Sequence, residues 1–203
     1  MCDQANISRI SSLKVDYLGF IFYRNSKRFI GESPDVQLFA GIPPNIEKVG
    51  VFVDEKPFSV IQWSRQYEIN TVQLHGAESP YYCNEIQQSG LKVIKAFGIS
   101  DEFHFEKLVD YMPVCDYFLF DSKTPVHGGS GTKYNWDLLG KYKFGKPFFI
   151  SGGIGPEDAK RIKELKYEQL YAVDINSRFE IAPGKKNVSL IGKFINEFQQ
   201  IIS

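Results

Sequence analysis

The 203-residue sequence has no long hydrophobic run, few cysteines and no excess of either charge. No stretch approaches the roughly 18 consecutive apolar residues of a membrane-spanning helix, so no membrane association is expected. The first ten residues lack a basic segment followed by an apolar one and therefore do not predict a signal peptide. Lys and Arg together number 24, as do Asp and Glu, which argues against a broad nucleic-acid-binding groove.

The three cysteines are too few and too scattered for a disulfide framework or a structural zinc site. Cys2, Cys83 and Cys115 form no CxxC pair. His75, His104 and His127 show no ligand spacing either, so we predict no metal. A reduced, cytoplasmic chain is the expected context.

Seven short apolar runs, rich in aromatic and β-branched residues, recur along the chain. Most lack polar alternation, which is typical of strands buried on both faces of a parallel sheet. Their starts are about 26 residues apart, the length of one βα unit. The predicted strands are 16–22, 48–53, 71–76, 92–99, 117–121, 147–153 and 171–177.

Stretches with helical character precede and separate these runs, at 5–13, 56–67, 79–90, 135–143 and 156–165, and a last one covers 188–202. Alternating βα units fit either a doubly wound sheet or a barrel, and uniform units with short loops favour the barrel. We therefore predict an α/β protein, a small (β/α)8 TIM barrel in one domain over residues 1–203. A barrel needs eight strands, and the opening helix should follow one, so we expect either that the first β-strand is missing from this chain or that the barrel is irregular there. Restoring such a strand should raise the melting temperature.

Active sites of barrels lie at the carboxyl ends of the strands, where two aspartates follow apolar runs. Asp121 ends YFLF, which suits a general acid, although a strand-end aspartate also caps the following loop. Asp174 ends YAV and either binds substrate hydroxyl groups or caps the next helix. Both interpretations stay open for each residue.

Glycine-rich segments follow the late strands and suggest an anion site. HGGSG covers 127–131, SGG covers 151–153, and INS follows the last strand at 175–177. Glycine lets backbone N–H groups approach an anion, and barrels often bind phosphate after strands seven and eight. The alternative is that these glycines only shape turns.

Three further polar residues lie at the predicted mouth of the barrel. Arg28, directly after the first run, could grip a carboxylate with its guanidinium group or belong to a solvated basic loop. Gln73 and His75 alternate along VQLHG, so they face the same side and suggest a lined pocket. A satisfied core histidine is the commoner explanation for a lone His.

Taken together, these segments resemble the phosphoribosylanthranilate isomerase family, the small TIM barrels of tryptophan biosynthesis. The specific motifs are VQLHG and D-x-K-T-P-x-x-GGSG, and the matching stretches follow the family's order over nearly the whole chain. They are DYLGFIFYRNSKRF (16–29), VGVFV (49–53), VQLHGAE (72–78), FDSKTPVHGGSG (120–131), SGGIGPED (151–158), AVDINSRFE (172–180) and PGKKN (183–187).

The resemblance implies an Amadori rearrangement that needs no cofactor. N-(5-phosphoribosyl)anthranilate opens its furanose ring and becomes 1-(2-carboxyphenylamino)-1-deoxyribulose 5-phosphate. Asp121 matches the general acid, and Arg28 matches the arginine that binds the anthranilate carboxylate. Gln73, His75 and Asp174 match polar positions of the pocket, and the phosphate cradle corresponds to Gly129, Gly152, Gly153, Asn176 and Ser177.

Two departures from the family pattern affect the expected chemistry. Arg178 replaces a glycine beside the phosphate loop, where it tilts that loop or adds a cation. The family's first strand ends in a Cys-Gly pair whose cysteine is the general base, and the alignment puts that cysteine before Met1. Cys2 is a weak candidate substitute, and we expect the missing base to impair activity.

The competing hypotheses are another phosphate-binding TIM-barrel enzyme and a non-catalytic barrel that binds phosphosugars. The lysines of indoleglycerol-phosphate synthases and the metal-binding histidines of ribulose-phosphate epimerases are not evident in the sequence. The expected partner is a small-molecule substrate, with no nucleic acid and no membrane, for a monomer or a homodimer.

Overall fold

The fold is built on one curled parallel sheet with helices on its outer face. The computed structural model describes residues 1–122 and 134–200. Seven strands pair in the order in which they follow one another along the chain. They are β1 (Tyr17–Ile21), β2 (Glu47–Phe52), β3 (Thr71–Leu74), β4 (Lys92–Ile99), β5 (Tyr117–Ser122), β6 (Phe148–Ile150) and β7 (Leu170–Val173).

The helices cover the outer face of the sheet and confirm most of the predicted pattern. They are α1 (Gln4–Ser11), α2 (Gln37–Ala40), α3 (Pro57–Gln66), α4 (Pro80–Gln88), α5 (Ala159–Glu164) and α6 (Val188–Gln200). Short 3₁₀ helices lie at Phe105–Tyr111, Trp136–Lys141, Pro156–Asp158 and Ser177–Phe179. No helix among the described residues is long and apolar enough to cross a membrane.

Apolar side chains fill both faces of the sheet, which explains why the strand sequences do not alternate. All four residues of β3 are buried. Inside the curve of the sheet, Val49, Ile94, Leu119 and Phe149 pack together with Ala96. Outside it, a larger cluster joins the strands to the helices, with Phe20, Phe52, Phe118 and Phe120 fully buried. The two cores fix the direction in which each strand end points.

Several predicted elements differ from the observed ones at their ends. The runs 147–153 and 171–177 contain shorter strands, because their last residues leave the sheet as loops at the cavity. The predicted helix 135–143 is a 3₁₀ helix, which Asn135 begins by accepting a hydrogen bond from the Asp137 N–H at 3.1 Å. An antiparallel hairpin of β8 (Glu180–Ala182) and β9 (Lys185–Lys186) was not predicted.

Strands β1 and β7 are the two ends of the sheet and do not pair with each other over the described residues, and one isolated parallel bridge joins Ile21 of β1 to Phe29. At this seam the Tyr17 and Tyr171 hydroxyl groups lie 3.4 Å apart. The Met1 amino group donates to the Gly19 carbonyl of β1 at 3.2 Å. The seven predicted strands and the α/β barrel class are therefore confirmed, and a single domain over residues 1–203 stays a prediction.

Candidate active site

The carboxyl ends of the parallel strands surround one cavity of about 600 Å³. It opens at the mouth of the barrel and continues along the apolar seam between β1 and β7. Nine predicted site residues line it: Arg28, Gln73, His75, Asp121, Gly152, Gly153, Asp174, Asn176 and Ser177. Gly129, the remaining predicted phosphate-binding residue, lies outside the described residues. The structure thus brings side chains from β1, β3, β5, β6 and β7 to one place.

A line of polar contacts joins Gln73, His75 and Asp121 across the cavity. The Gln73 amide Nε2 lies 2.7 Å from His75 Nδ1, and His75 Nε2 lies 3.3 Å from Asp121 Oδ2. An amide nitrogen can only donate, so Nδ1 accepts and a neutral ring carries its proton on Nε2. The imidazole ring therefore presents Nε2 to the Asp121 carboxylate.

A backbone hydrogen bond within its own strand also holds the Asp121 side chain. The Ser122 N–H donates to Asp121 Oδ1 at 2.7 Å. With the histidine on the other oxygen, both carboxylate oxygens have a partner, and the side chain keeps 18% of its surface exposed. Such a carboxyl group is rigid enough to be positioned and open enough to exchange a proton with a ligand.

Asp174 follows β7 and faces the same cavity. Its Oδ2 accepts from the Ser151 hydroxyl at 3.1 Å. Burial raises the pKa of the Asp174 carboxyl, and the nearby Asp121 carboxylate adds to this rise. Two carboxyl groups in one pocket with different environments can hold different protonation states.

The loop after β6 carries the first half of the predicted phosphate cradle. Gly152 and Gly153 adopt φ of +89° and +63°, the left-handed region that favours glycine. A Cβ on Gly152 would lie 2.6 Å from the Ser122 nitrogen and 2.8 Å from Asp121 Oδ1. The glycine thus lets this loop pack directly against the carboxylate. The N–H groups of both glycines donate to no described residue.

The loop after β7 forms the second half. Asn176 precedes the 3₁₀ helix that starts at Ser177, and neither N–H group donates to a described residue. Arg178 is positioned beside both loops. Its Nη1 lies 3.4 Å from the Gly153 carbonyl and 2.7 Å from Glu157 Oε1. The sequence departure at 178 therefore adds a cation to the edge of the cradle.

Arg28 lines the same cavity and is not a solvated surface residue. Its guanidinium group pairs with Glu180 at 2.7 Å, and its side chain is 13% exposed. Glu180 also accepts from Lys186 Nζ at 3.0 Å. Glu180 and Lys186 were missed by sequence reasoning, although both fall in the motif stretches. Only the fold of the β8–β9 hairpin brings these two charges together.

Cys2 is not among the residues that line the cavity. Its Sγ lies 3.5 Å from the Arg28 carbonyl and 3.9 Å from that of Phe29, and the residue is exposed. Its role as a base stays a prediction. Within the described ranges, no group of three His, Cys, Asp or Glu residues could hold a metal ion.

Comparisons with known proteins agree with this geometry. The family model described as N-(5'-phosphoribosyl)anthranilate (PRA) isomerase matches residues 2–197. The N-(5'-phosphoribosyl)anthranilate isomerase of Parabacteroides distasonis is 39% identical over 198 residues, which are 97% of this chain and 90% of that protein.

Solved structures give the same result. The crystal structure of phosphoribosyl anthranilate isomerase from Thermotoga maritima matches with a TM-score of 0.88 and 33% identity, over 98% of this chain and 96% of that one. Another isomerase structure, in complex with reduced 1-(o-carboxyphenylamino)-1-deoxyribulose 5-phosphate, matches with a TM-score of 0.84 and 29% identity, over 98% and 95% of the two chains. By sequence and by fold, this chain belongs to the N-(5'-phosphoribosyl)anthranilate isomerase family.

Proposed function

We propose that this chain isomerises N-(5-phosphoribosyl)anthranilate to 1-(2-carboxyphenylamino)-1-deoxyribulose 5-phosphate, a step of tryptophan biosynthesis. The observation that carries the proposal is that one cavity is lined by a guanidinium group, a carboxyl group and two loops whose N–H groups donate to no described residue. The substrate has one part for each of them: a carboxylate, a sugar and a phosphate.

Binding at both ends would place the sugar against Asp121. Arg28 takes the anthranilate carboxylate, since a guanidinium group matches the two oxygens of a carboxylate. The N–H groups of Gly152, Gly153, Asn176 and Ser177 take the phosphate. Fixing both ends of a flexible ligand keeps its reacting atoms beside the Asp121 carboxyl group.

The chemistry then needs one proton given and one removed. Asp121 protonates the ring oxygen, the C1–O bond breaks, and the ring-opened iminium forms. A base removes the proton from C2, and the resulting enolamine becomes the ketone. The iminium of the substrate is the electron sink, so acid, base and positioning are what the protein supplies. His75 keeps Asp121 in place, and Asp174 is in reach of the sugar hydroxyl groups.

Cys2 is the candidate base, and a serine tests it. The substitution Cys2→Ser should lower kcat strongly if the thiolate removes the C2 proton, and binding of the reduced product analogue should not change. An unchanged kcat would remove Cys2 from the mechanism.

The primary test is conversion of N-(5-phosphoribosyl)anthranilate by the purified chain, which is monitored through the loss of substrate and the appearance of product. We expect turnover that is lost in Arg28→Ala at low substrate concentration. Binding of the reduced product analogue without turnover would support a non-catalytic phosphosugar-binding barrel instead, and failure to bind it would refute the proposal.

We also propose that the protein is cytoplasmic and is a monomer or a homodimer. Its three free cysteines fit a reducing compartment.

A further inference from the structure

A buried ion cluster connects three segments of the chain at the cavity. Glu180, at the start of β8, accepts hydrogen bonds from Arg28 Nε at 2.9 Å and from Arg28 Nη2 at 2.7 Å. It also accepts from Lys186 Nζ at 3.0 Å and from the Gly184 N–H at 3.1 Å. Only 4% of the Glu180 side chain is exposed. One carboxylate therefore holds the loop after β1 to the β8–β9 hairpin.

The contact with Glu180 uses only one edge of the Arg28 guanidinium group. The Nε–H and an Nη2–H face the carboxylate, and Nη1 has no partner among the described residues. A guanidinium group is planar and rigid, so fixing one edge fixes the direction of the others. Arg28 lines the cavity, and its remaining N–H groups are the ones available to a ligand carboxylate.

Lys186 extends the cluster to the phosphate side of the cavity. Its Nζ donates to Asn176 Oδ1 at 2.6 Å as well as to Glu180. Its backbone is held in turn by Asn6, whose side chain bonds both the Lys186 carbonyl, at 2.9 Å, and the Lys186 N–H, at 2.8 Å. The group that would bind the ligand carboxylate and a loop that would bind its phosphate are therefore tied to one rigid hairpin.

We propose that Glu180 is a positioning residue that aims Arg28 at the ligand carboxylate. The inference rests on the proposed function. It adds to the site a residue that does not touch the substrate and that acts through Arg28.

A purely stabilising role explains this cluster poorly. Taking three charged groups out of water is costly, and replacing buried ion pairs by apolar groups is often neutral or stabilising. Although burial alone would raise the pKa of Glu180, its hydrogen bonds from Arg28 and the charge of Lys186 lower it, so the carboxylate is ionised. Because the cluster is costly to desolvate and faces the ligand site, its role is better explained as orienting the Arg28 guanidinium group.

The test compares two ligands that differ only in the carboxylate. One is the reduced product analogue, and the other is the same molecule with phenyl in place of carboxyphenyl. We expect Glu180→Gln to weaken binding of the carboxylated analogue about tenfold, which corresponds to about 1.4 kcal/mol. Binding of the carboxyl-free analogue should change less than about twofold. Titration calorimetry on the full chain measures both.

The matched control is Glu32→Gln, which removes an exposed ion pair with Arg24 in the same loop as Arg28. This variant should bind both ligands as the wild type does. Because Glu180→Gln leaves two buried cations without a full counter-charge and could fail to fold, Glu180→Asp is made in parallel. It keeps the charge but withdraws the carboxylate by one methylene, and the same selective loss is expected.

Arg28→Ala completes a double-mutant cycle. If Glu180 acts through Arg28, the selective loss caused by the Glu180 substitution disappears in the Arg28→Ala background. Equal weakening of both ligands, or unchanged binding in Glu180→Asp, would overturn the inference alone. Failure of the wild type to bind either ligand would instead refute the proposed function.

Discussion

Asp121→Asn is the substitution that separates acid catalysis from binding most clearly. The amide has the shape of the carboxyl group, and its oxygen can still accept from the Ser122 N–H, which now donates to Oδ1 at 2.7 Å. The amide cannot deliver a proton to the ring oxygen. General acid catalysis contributes about 10²- to 10⁴-fold, which corresponds to about 3 to 5 kcal/mol of barrier. We expect kcat to fall by that factor.

The structure also predicts what the substitution does to folding. The new NH₂ group would lie beside His75 Nε2, which is 3.3 Å from Asp121 Oδ2, so a donor would replace an acceptor next to the imidazole ring. An unpaired buried donor costs about 1 to 3 kcal/mol, and the partial exposure of both side chains favours the low end. That is a loss of about 2 to 4 °C in Tm.

The assay measures kcat at saturating substrate, together with the Kd of the reduced product analogue by calorimetry. Asp116→Asn is the matched control, because Asp116 precedes the same strand at its other end and accepts from the Val93 N–H at 2.8 Å. The control should lose some stability and keep its kcat. If Asp121→Asn kept more than about a tenth of the wild-type kcat, Asp121 would not be the acid, since acid catalysis contributes at least about 10²-fold.

Three further substitutions test the rest of the site. Asp174→Asn should raise Tm at pH 7. Because the pKa of the Asp174 carboxyl is raised in the folded state, the wild-type protein loses stability as pH rises from the unfolded-state pKa through the folded-state pKa. The Tm values of wild type and variant should therefore converge as pH falls below 3.8, and a gain that persisted there would contradict this. Gly152→Ala should cost about 1 to 3 kcal/mol from backbone strain and more from the Asp121 contact, whereas Gly31→Ala, also at positive φ but with nothing within 4 Å, should show the strain alone in chemical denaturation. Arg178→Ala should weaken binding of the phosphorylated analogue about threefold at low salt and less at about 1 M salt, where the Debye length is about 3 Å; a loss that did not depend on salt would argue against a charge effect.

Most of the fold could be predicted because buried parallel strands have continuous apolar sequences. All four residues of the run TVQL are buried, as expected for a strand in the interior of a parallel sheet. The predicted helical stretch 79–90 contains α4, which begins after Ser79, whose hydroxyl accepts a hydrogen bond from the Tyr82 N–H at 3.2 Å. The 136–141 segment forms a 3₁₀ helix instead of the predicted α-helix; Gly140 within it lowers α-helical propensity.

The site was predictable to the extent that it follows from topology. Carboxyl ends of parallel strands converge, so Asp121, His75 and Asp174 could be placed together before any coordinates. The partners of Arg28 could not. Glu180 is 152 positions away along the chain. No local pattern marks the antiparallel hairpin that carries it, because β8 and β9 are only three and two residues long.

The position of this ion cluster follows from the shape of the sheet. Strands β3 to β6 are paired on both sides, so Asp121 within β5 and the loops that carry His75 and Gly152 are supported by a continuous ladder of hydrogen bonds. Strand β1 is an end strand, and the loop that carries Arg28 meets its open edge through a bridge between Ile21 and Phe29. That backbone contact holds the loop, and the guanidinium group at the end of the Arg28 side chain needs support of its own to keep a fixed direction. Glu180 supplies that support from the chain segment after β7, across the unpaired seam, so the carboxylate end of the site depends on an ion pair where the acid end depends on the sheet. Loss of Glu180 should therefore affect recognition of the ligand carboxylate and leave the geometry around Asp121 intact.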